Sequence, residues 1–134
     1  MTKEPDRILI VENDPAVSDL IGRQTLQAAG YHVSTIQDAN TAIVQANEYA
    51  PDVILANISL PGLSGIDLLV ALTAQEIFTP VILMGQKGLE NEIIQSMRLG
   101  AADYLLLPAS ETEILNVVEE TLKKVHEERE RGHL

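Results

Sequence analysis

The sequence predicts an α/β protein whose parallel sheet carries helices on both faces. Short continuous apolar runs alternate with helical patterns five times along 134 residues, the rhythm of strand–helix units. The connections between those units are short, as expected when each strand is followed by a helix that packs back on the sheet. The core is aliphatic: 46% of the chain is hydrophobic, yet it holds only three tyrosines, one phenylalanine and no tryptophan. Such a composition favours an aliphatic α/β or helical core over an aromatic-rich all-β one, and 134 residues suffice for one domain.

The first strand is Ile8-Leu9-Ile10-Val11, an uninterrupted apolar run that suits a strand covered on both faces. Asp14-Pro15 supplies an N-cap and a first-turn proline for a helix burying Val17, Leu20 and Ile21, and Gly30 closes it. Val33-Ser34-Thr35-Ile36 alternates like an edge strand. Asp38 then caps a second helix with Ala39, Ala42, Ile43 and Ala46 on one face. Val53 to Ala56 is the third strand, and after Pro61-Gly62 and Gly65 the pattern Ile66, Leu69, Val70, Thr73 predicts a third helix. Pro80 opens the fourth strand, Val81-Ile82-Leu83-Met84, which Gly85 and Gly88 end. A fourth helix carries Ile93 and Met97 and stops at Gly100. Tyr104-Leu105-Leu106-Leu107 is the fifth strand, stopped by Pro108, and the last helix shows Ile114, Leu115, Val118, Leu122 and Val125.

In an open parallel sheet the functional crevice lies beyond the carboxyl ends of the strands. Those ends are Glu12, Asn13 and Asp14 after the first strand and Asn57 after the third. Gly85 and Gln86 follow the fourth, and Leu107 and Pro108 close the fifth.

Composition excludes several functions. No apolar stretch approaches the roughly 18–20 residues of a membrane span, and the first residues hold no apolar targeting region. Cysteine is absent, which removes disulfides and thiolate metal sites. A net charge of −11 repels nucleic acid, and the only basic clusters, Lys123-Lys124 and Arg129/Arg131, are interleaved with glutamates. A cytoplasmic protein with no membrane or nucleic-acid partner is the expectation.

Four segments, in order and in spacing, give the chain a family likeness. They are Ile8-Leu9-Ile10-Val11-Glu12-Asn13-Asp14-Pro15; Pro51-Asp52-Val53 through Leu60-Pro61-Gly62 with Gly65; Pro80-Val81-Ile82; and Leu99-Gly100-Ala101-Ala102-Asp103-Tyr104 ending in Pro108. Together they make residues 7 to about 125 resemble the receiver domain of bacterial response regulators, the phosphoacceptor module of two-component signalling. The resemblance implies a doubly wound (βα)5 flavodoxin-like fold with strand order 2-1-3-4-5, and a cis Leu107–Pro108 peptide. It also implies chemistry. Two acids after the first strand and an aspartate after the third hold Mg2+, and that aspartate takes the phosphoryl group. A threonine or serine after the fourth strand and a lysine after the fifth bind the phosphoryl oxygens.

Carried over position by position, Glu12 keeps the first acid. The second falls on Asn13, the phosphoacceptor on Asn57, the hydroxyl residue on Gly85 and the lysine on Leu107. Asp14 falls where the resemblance gives no ligand role and is expected to serve as the N-cap. A carboxamide cannot attack phosphorus, because its oxygen is neutral and its nitrogen lone pair is delocalised. One carboxylate in place of three leaves a weak Mg2+ site at best, so no cofactor is expected. Leu107 in place of a lysine removes the cation that would stabilise transferred charge. Asn is also an ordinary strand-end turn residue; the flanking motifs weigh against so plain a role for Asn57.

Tyr104 matches the resemblance's switch aromatic, on the face formed by the fourth helix, fifth strand and fifth helix. Because Gly85 has no side chain to couple to it, Tyr104 is expected to be uncoupled and to turn inward. The switch region extends to Pro108. His32, His126 and His133 have no metal spacing and are expected at the surface. Residues 1–6 are expected to be disordered. Residues 126–134 form a charged helical extension, and Glu119–Lys123, Glu120–Lys124 and Glu127–Arg131 are spaced for ion pairs. That extension is either a solvated end or the start of a linker to a further signalling domain.

The leading expectation is therefore a pseudo-receiver: a non-enzymatic module that binds a protein partner, or itself, through the fourth helix–fifth strand–fifth helix face. The alternatives are an active phosphoacceptor receiver and, less favoured, a flavodoxin-like domain binding a nucleotide or flavin. Against the last, Glu12-Asn13-Asp14-Pro15 lacks a glycine-rich phosphate cradle.

Overall fold

A computed structural model describes residues 4–132 of the chain. Its five strands are β1 (Arg7–Val11), β2 (His32–Ile36), β3 (Val53–Asn57), β4 (Val81–Gln86) and β5 (Asp103–Leu107). They form one parallel sheet in the order β2-β1-β3-β4-β5, as expected. The helices are α1 (Pro15–Asp19), α2 (Ala39–Glu48), α3 (Gly65–Ala74), α4 (Glu90–Arg98) and α5 (Glu111–Glu130). Among the described residues no helix is long and apolar enough to cross a membrane.

The continuous apolar runs exist because the central strands are buried twice. Leu9, Val11, Ile54, Ala56, Val81 and Leu83 pack with the small alanines of α2 and the leucines of α3. Their alternates Ile8, Ile10, Val53, Leu55, Ile82 and Met84 pack on the other face, with Ile114, Val118 and Leu122 of α5. β2 is an edge strand and is only half-buried.

Four expectations need correction. The first helix is not α-helical throughout: after α1 the chain widens into a π-helical segment, Leu20–Gln27. There the Thr25 hydroxyl donates to the Leu20 carbonyl, five residues back, at 2.8 Å. Gly22 presses that segment against Ile10, Val33 and Thr35. Of its expected apolar face only Ile21 is buried; Val17 and Leu20 are half-buried.

The buried stripe of α3 is Leu68, Leu69 and Leu72, while Val70 lies 49% exposed. Its phase is set by the cap, where Ser64 and Asp67 form a capping box and Gly65 is jammed against β3. In α4, Met97 is exposed and Ile93 half-buried. The one buried residue is Ser96, whose small side chain donates to the Ile93 carbonyl at 2.7 Å.

The fourth correction concerns the C-terminal extension. None of the three expected ion pairs within α5 forms among the described residues, since long exposed side chains gain little from pairing in water. Instead the helix is tied to the amino ends of the strands. Arg129 donates to Asp52 Oδ1 at 3.0 Å, and His126 Nε2 lies 3.1 Å from Asp6 Oδ1, so His126 is not a free surface group. Asp52 also accepts from the Arg7 amide at 2.7 Å. Residues 1–3 and 133–134, which include His133 and part of the expected N-terminal disorder, lie outside the described residues.

Glu76, just past α3, has φ +59°, the left-handed conformation that glycine adopts freely at helix ends. Glu76→Gly should therefore raise stability by about 0.5–1 kcal/mol, read as a higher urea midpoint at unchanged slope.

Candidate functional site

β1 and β3 run side by side with Val11 opposite Ala56, so the next residues, Glu12 and Asn57, meet where the strands end. Glu12 is only 3% exposed. The Asn57 amide nitrogen donates to Glu12 Oε1 at 2.7 Å, and the Asp14 backbone N–H donates to Oε2 at 3.0 Å. The amide oxygen of Asn57 accepts from the Ser59 N–H at 2.8 Å. These two partners fix which way the carboxamide points: a donor must face Glu12 and an acceptor must face Ser59. Both oxygens of the buried acid are thereby satisfied by neutral donors. Among the described residues no buried side-chain polar atom lacks a partner.

The loop after Asn57 is held as tightly. Gly65 N–H donates to the Ile58 carbonyl at 3.0 Å. A Cβ on Gly65 would lie 2.6 Å from the Asn57 carbonyl oxygen and 2.9 Å from Ile58 Cα. Only glycine lets α3 begin this close to the site.

Gly85 and Tyr104 form a second contact, on the sheet face that carries α2 and α3. The ring of Tyr104 packs with that core, and its hydroxyl donates to the Gly85 carbonyl at 3.0 Å. A Cβ on Gly85 would stand 3.2 Å from that hydroxyl, from Ile58 Cγ2 and from Leu89 Cδ1. Burial pushes the Tyr104 phenol above its ordinary value, and the charge of Glu90 adds to this, so the proton needed for the hydrogen bond is held. Gly85→Thr should expel the ring, because the phenol tip is the most easily displaced of the three neighbours. The expected result is loss of the Tyr104 hydroxyl bond and a change in Tyr104 side-chain NMR shifts, with the fold retained.

The other expected site residues are spread along the same end of the sheet. Leu107 lies opposite Gln86, packs half-buried on the α5 side, and its peptide to Pro108 is cis. Asn13 is exposed. Asp14 caps α1 by accepting from the Ala16 N–H at 2.9 Å. Among the described residues no three His, Cys, Asp or Glu side chains gather as metal ligands would. Two residues that the sequence reading passed over also line the crevice. Ser59 and Lys87 share a cavity of about 320 Å3 with Asn57 and Gln86. Lys87 was legible in principle, for it follows the end of β4 by one residue, where a crevice is expected.

Comparison with known proteins gives a consistent picture. A profile of the response regulator receiver domain matches residues 8–119. The phosphate regulon transcriptional regulatory protein PhoB of Rhizobium meliloti is 32% identical over 124 residues, covering 91% of this chain and 54% of that protein. The alkaline phosphatase synthesis transcriptional regulatory protein PhoP of Bacillus subtilis is 30% identical over 118 residues, covering 88% and 49%. The chain thus spans about half the length of these relatives. Among solved structures, a signal receiver domain from Vibrio parahaemolyticus superposes with a TM-score of 0.87 at 25% identity, covering 93% of this chain and 95% of the other.

Proposed function

The chain belongs to the response regulator receiver domain family, and we propose that it is a receiver that signals without taking up a phosphoryl group, as an interaction module. The observation that carries this reading is the 2.7 Å hydrogen bond from the Asn57 amide to Glu12. It makes the residue at the phosphoacceptor position a neutral donor, already committed to its neighbour.

The residues present do not suit Mg2+. A divalent cation asks for carboxylate oxygens turned toward it, whereas both oxygens of Glu12 accept from N–H groups. Asn57 turns its nitrogen, not its oxygen, toward that carboxylate. Gly85 brings no hydroxyl and Leu107 no cation, so a transferred phosphoryl group would meet neither of its usual partners.

The inward Tyr104, held by the Gly85 carbonyl, supports a domain resting in one state rather than switching between two. Its partner would be a protein, or a second copy, at the α4–β5–α5 face. There Ile94, Met97 and Leu106 are 51%, 45% and 39% exposed, and α4 buries little of itself. The relatives' extra length supports an attached output domain, with α5 leading toward it. To this chain, with a net charge of −11, we assign no nucleic-acid contact.

Acetyl phosphate with Mg2+, followed by intact mass, tests the reading. The expected spectrum is unchanged. A species heavier by one phosphoryl group and lost on mild base would overturn it and restore the active-receiver alternative.

A further inference from the structure

Two cavities lie side by side at the carboxyl end of the sheet and share Gln86 and Lys87. The first, about 320 Å3, continues to Asn57, Ser59 and Leu89. The second, about 560 Å3, is walled by Leu106, Leu107 and Pro108. Each alone falls in the size range of small-molecule sites. Lys87 is the sole charged residue lining either cavity among the described residues, on a chain of net charge −11. Among those residues it joins none of the ion pairs. Two acids at this end of the sheet accept hydrogen bonds from other groups: Glu12 from the Asn57 and Asp14 N–H groups, and Glu90 from the Gly88 N–H at 3.2 Å.

We propose that this trough binds a small amphipathic carboxylate, its charged head at Lys87 and its apolar body over Leu106, Leu107 and Pro108. The chemistry of the walls selects that class. A cation would meet Lys87 and no lining acid. A neutral apolar molecule would strip water from the lysine without giving it a partner. A multiply charged anion would have only the one lining cation to answer it. A monocarboxylate matches one ammonium, while the Gln86 amide and the Ser59 hydroxyl offer its oxygens further donors. Leucine at position 107 supplies the apolar wall where the family pattern has a lysine, and the cation stands instead on the β4–α4 turn.

The inference rests on the reading of an unphosphorylated pocket, because a phosphoryl group on residue 57 would occupy the first cavity. The test uses hexanoate, hexanol and hexylamine as probes, followed by backbone amide NMR of the whole chain. Hexanoate should produce saturable shifts at Gln86, Lys87 and Leu107. Lys87→Met should weaken it about tenfold, as should Leu107→Ser by loss of the apolar wall. Hexanol and hexylamine should bind at least about tenfold more weakly. Absence of saturable shifts at these residues, equal binding of the three probes, or unaltered binding to Lys87→Met would each overturn the proposal. Failure here with no acetyl phosphate adduct leaves the phosphorylation-independent reading standing; an adduct defeats that reading whatever hexanoate does.

Discussion

Asn57→Asp should cost about 2–4 kcal/mol of stability at neutral pH, although it restores the residue that the family pattern would put there. The substitution removes the N–H donor that lies 2.7 Å from Glu12 Oε1 and replaces it with a second carboxylate. Glu12 cannot turn away, since it is buried and its other oxygen is held by the Asp14 amide. The new residue would face Glu12 directly, with leucine rather than lysine at position 107 and only the exposed Lys87 across the cavity to offset the pair. Urea denaturation of the variant and the parent measures the cost. The variant should still take up phosphoryl groups poorly, because Asn13, Gly85 and Leu107 are unchanged. A variant as stable as the parent at neutral pH would mean that the Asn57 amide is not what satisfies Glu12.

Among the glycines of the described residues, Gly65→Ala should be the most damaging, costing about 3 kcal/mol or more. The added Cβ would sit 2.6 Å and 2.9 Å from two backbone atoms, the Asn57 oxygen and Ile58 Cα, and neither can yield without moving the β3–α3 loop. That loop carries Ser59, whose N–H orients the Asn57 amide, so the damage should reach the site as well as the core. Gly22→Ala provides the contrast. Its Cβ would meet only side-chain tips at 3.3–3.4 Å, and alanine favours a helix over glycine by about 1 kcal/mol, so the net change should be small. Denaturation midpoints of the two variants rank them. Equal midpoints would contradict the steric account.

Much of this architecture is written locally in the sequence. Runs such as Ile8-Leu9-Ile10-Val11 suit central strands covered twice, and Asp14, Asp38, Ser64 and Ser110 each cap the helix that follows them. The phase of α3 was not legible, because it depends on how closely Gly65 approaches β3 across the chain. Nor was the π-helical turn, which arises from one hydroxyl bonding five residues back and from Gly22 meeting the sheet. The sequence spaced ion pairs along α5 itself, whereas Arg129 and His126 reach Asp52 and Asp6, partners more than 70 residues away in the chain. In the site, the strand ends could be named from sequence. What could not be named was the direction of the Asn57 amide, since two equal-sized groups distinguish themselves only through their partners. Lys87 was passed over although its place just after β4 marks the crevice, because a lysine in a turn looks ordinary until the cavity around it is seen.

The central claim is that the Asn57 amide occupies, as a neutral donor, the position from which Glu12 and a metal would otherwise be joined. Its most direct measurement is the NMR signal of the Asn57 side-chain NH2 during a Mg2+ titration. The signal should be shifted by its bond to Glu12, should change when Glu12 is replaced by alanine, and should stay fixed as Mg2+ is added. A saturable movement of that NH2 signal with Mg2+ would contradict the claim, because it would mean that the carboxamide gives up Glu12 to a cation.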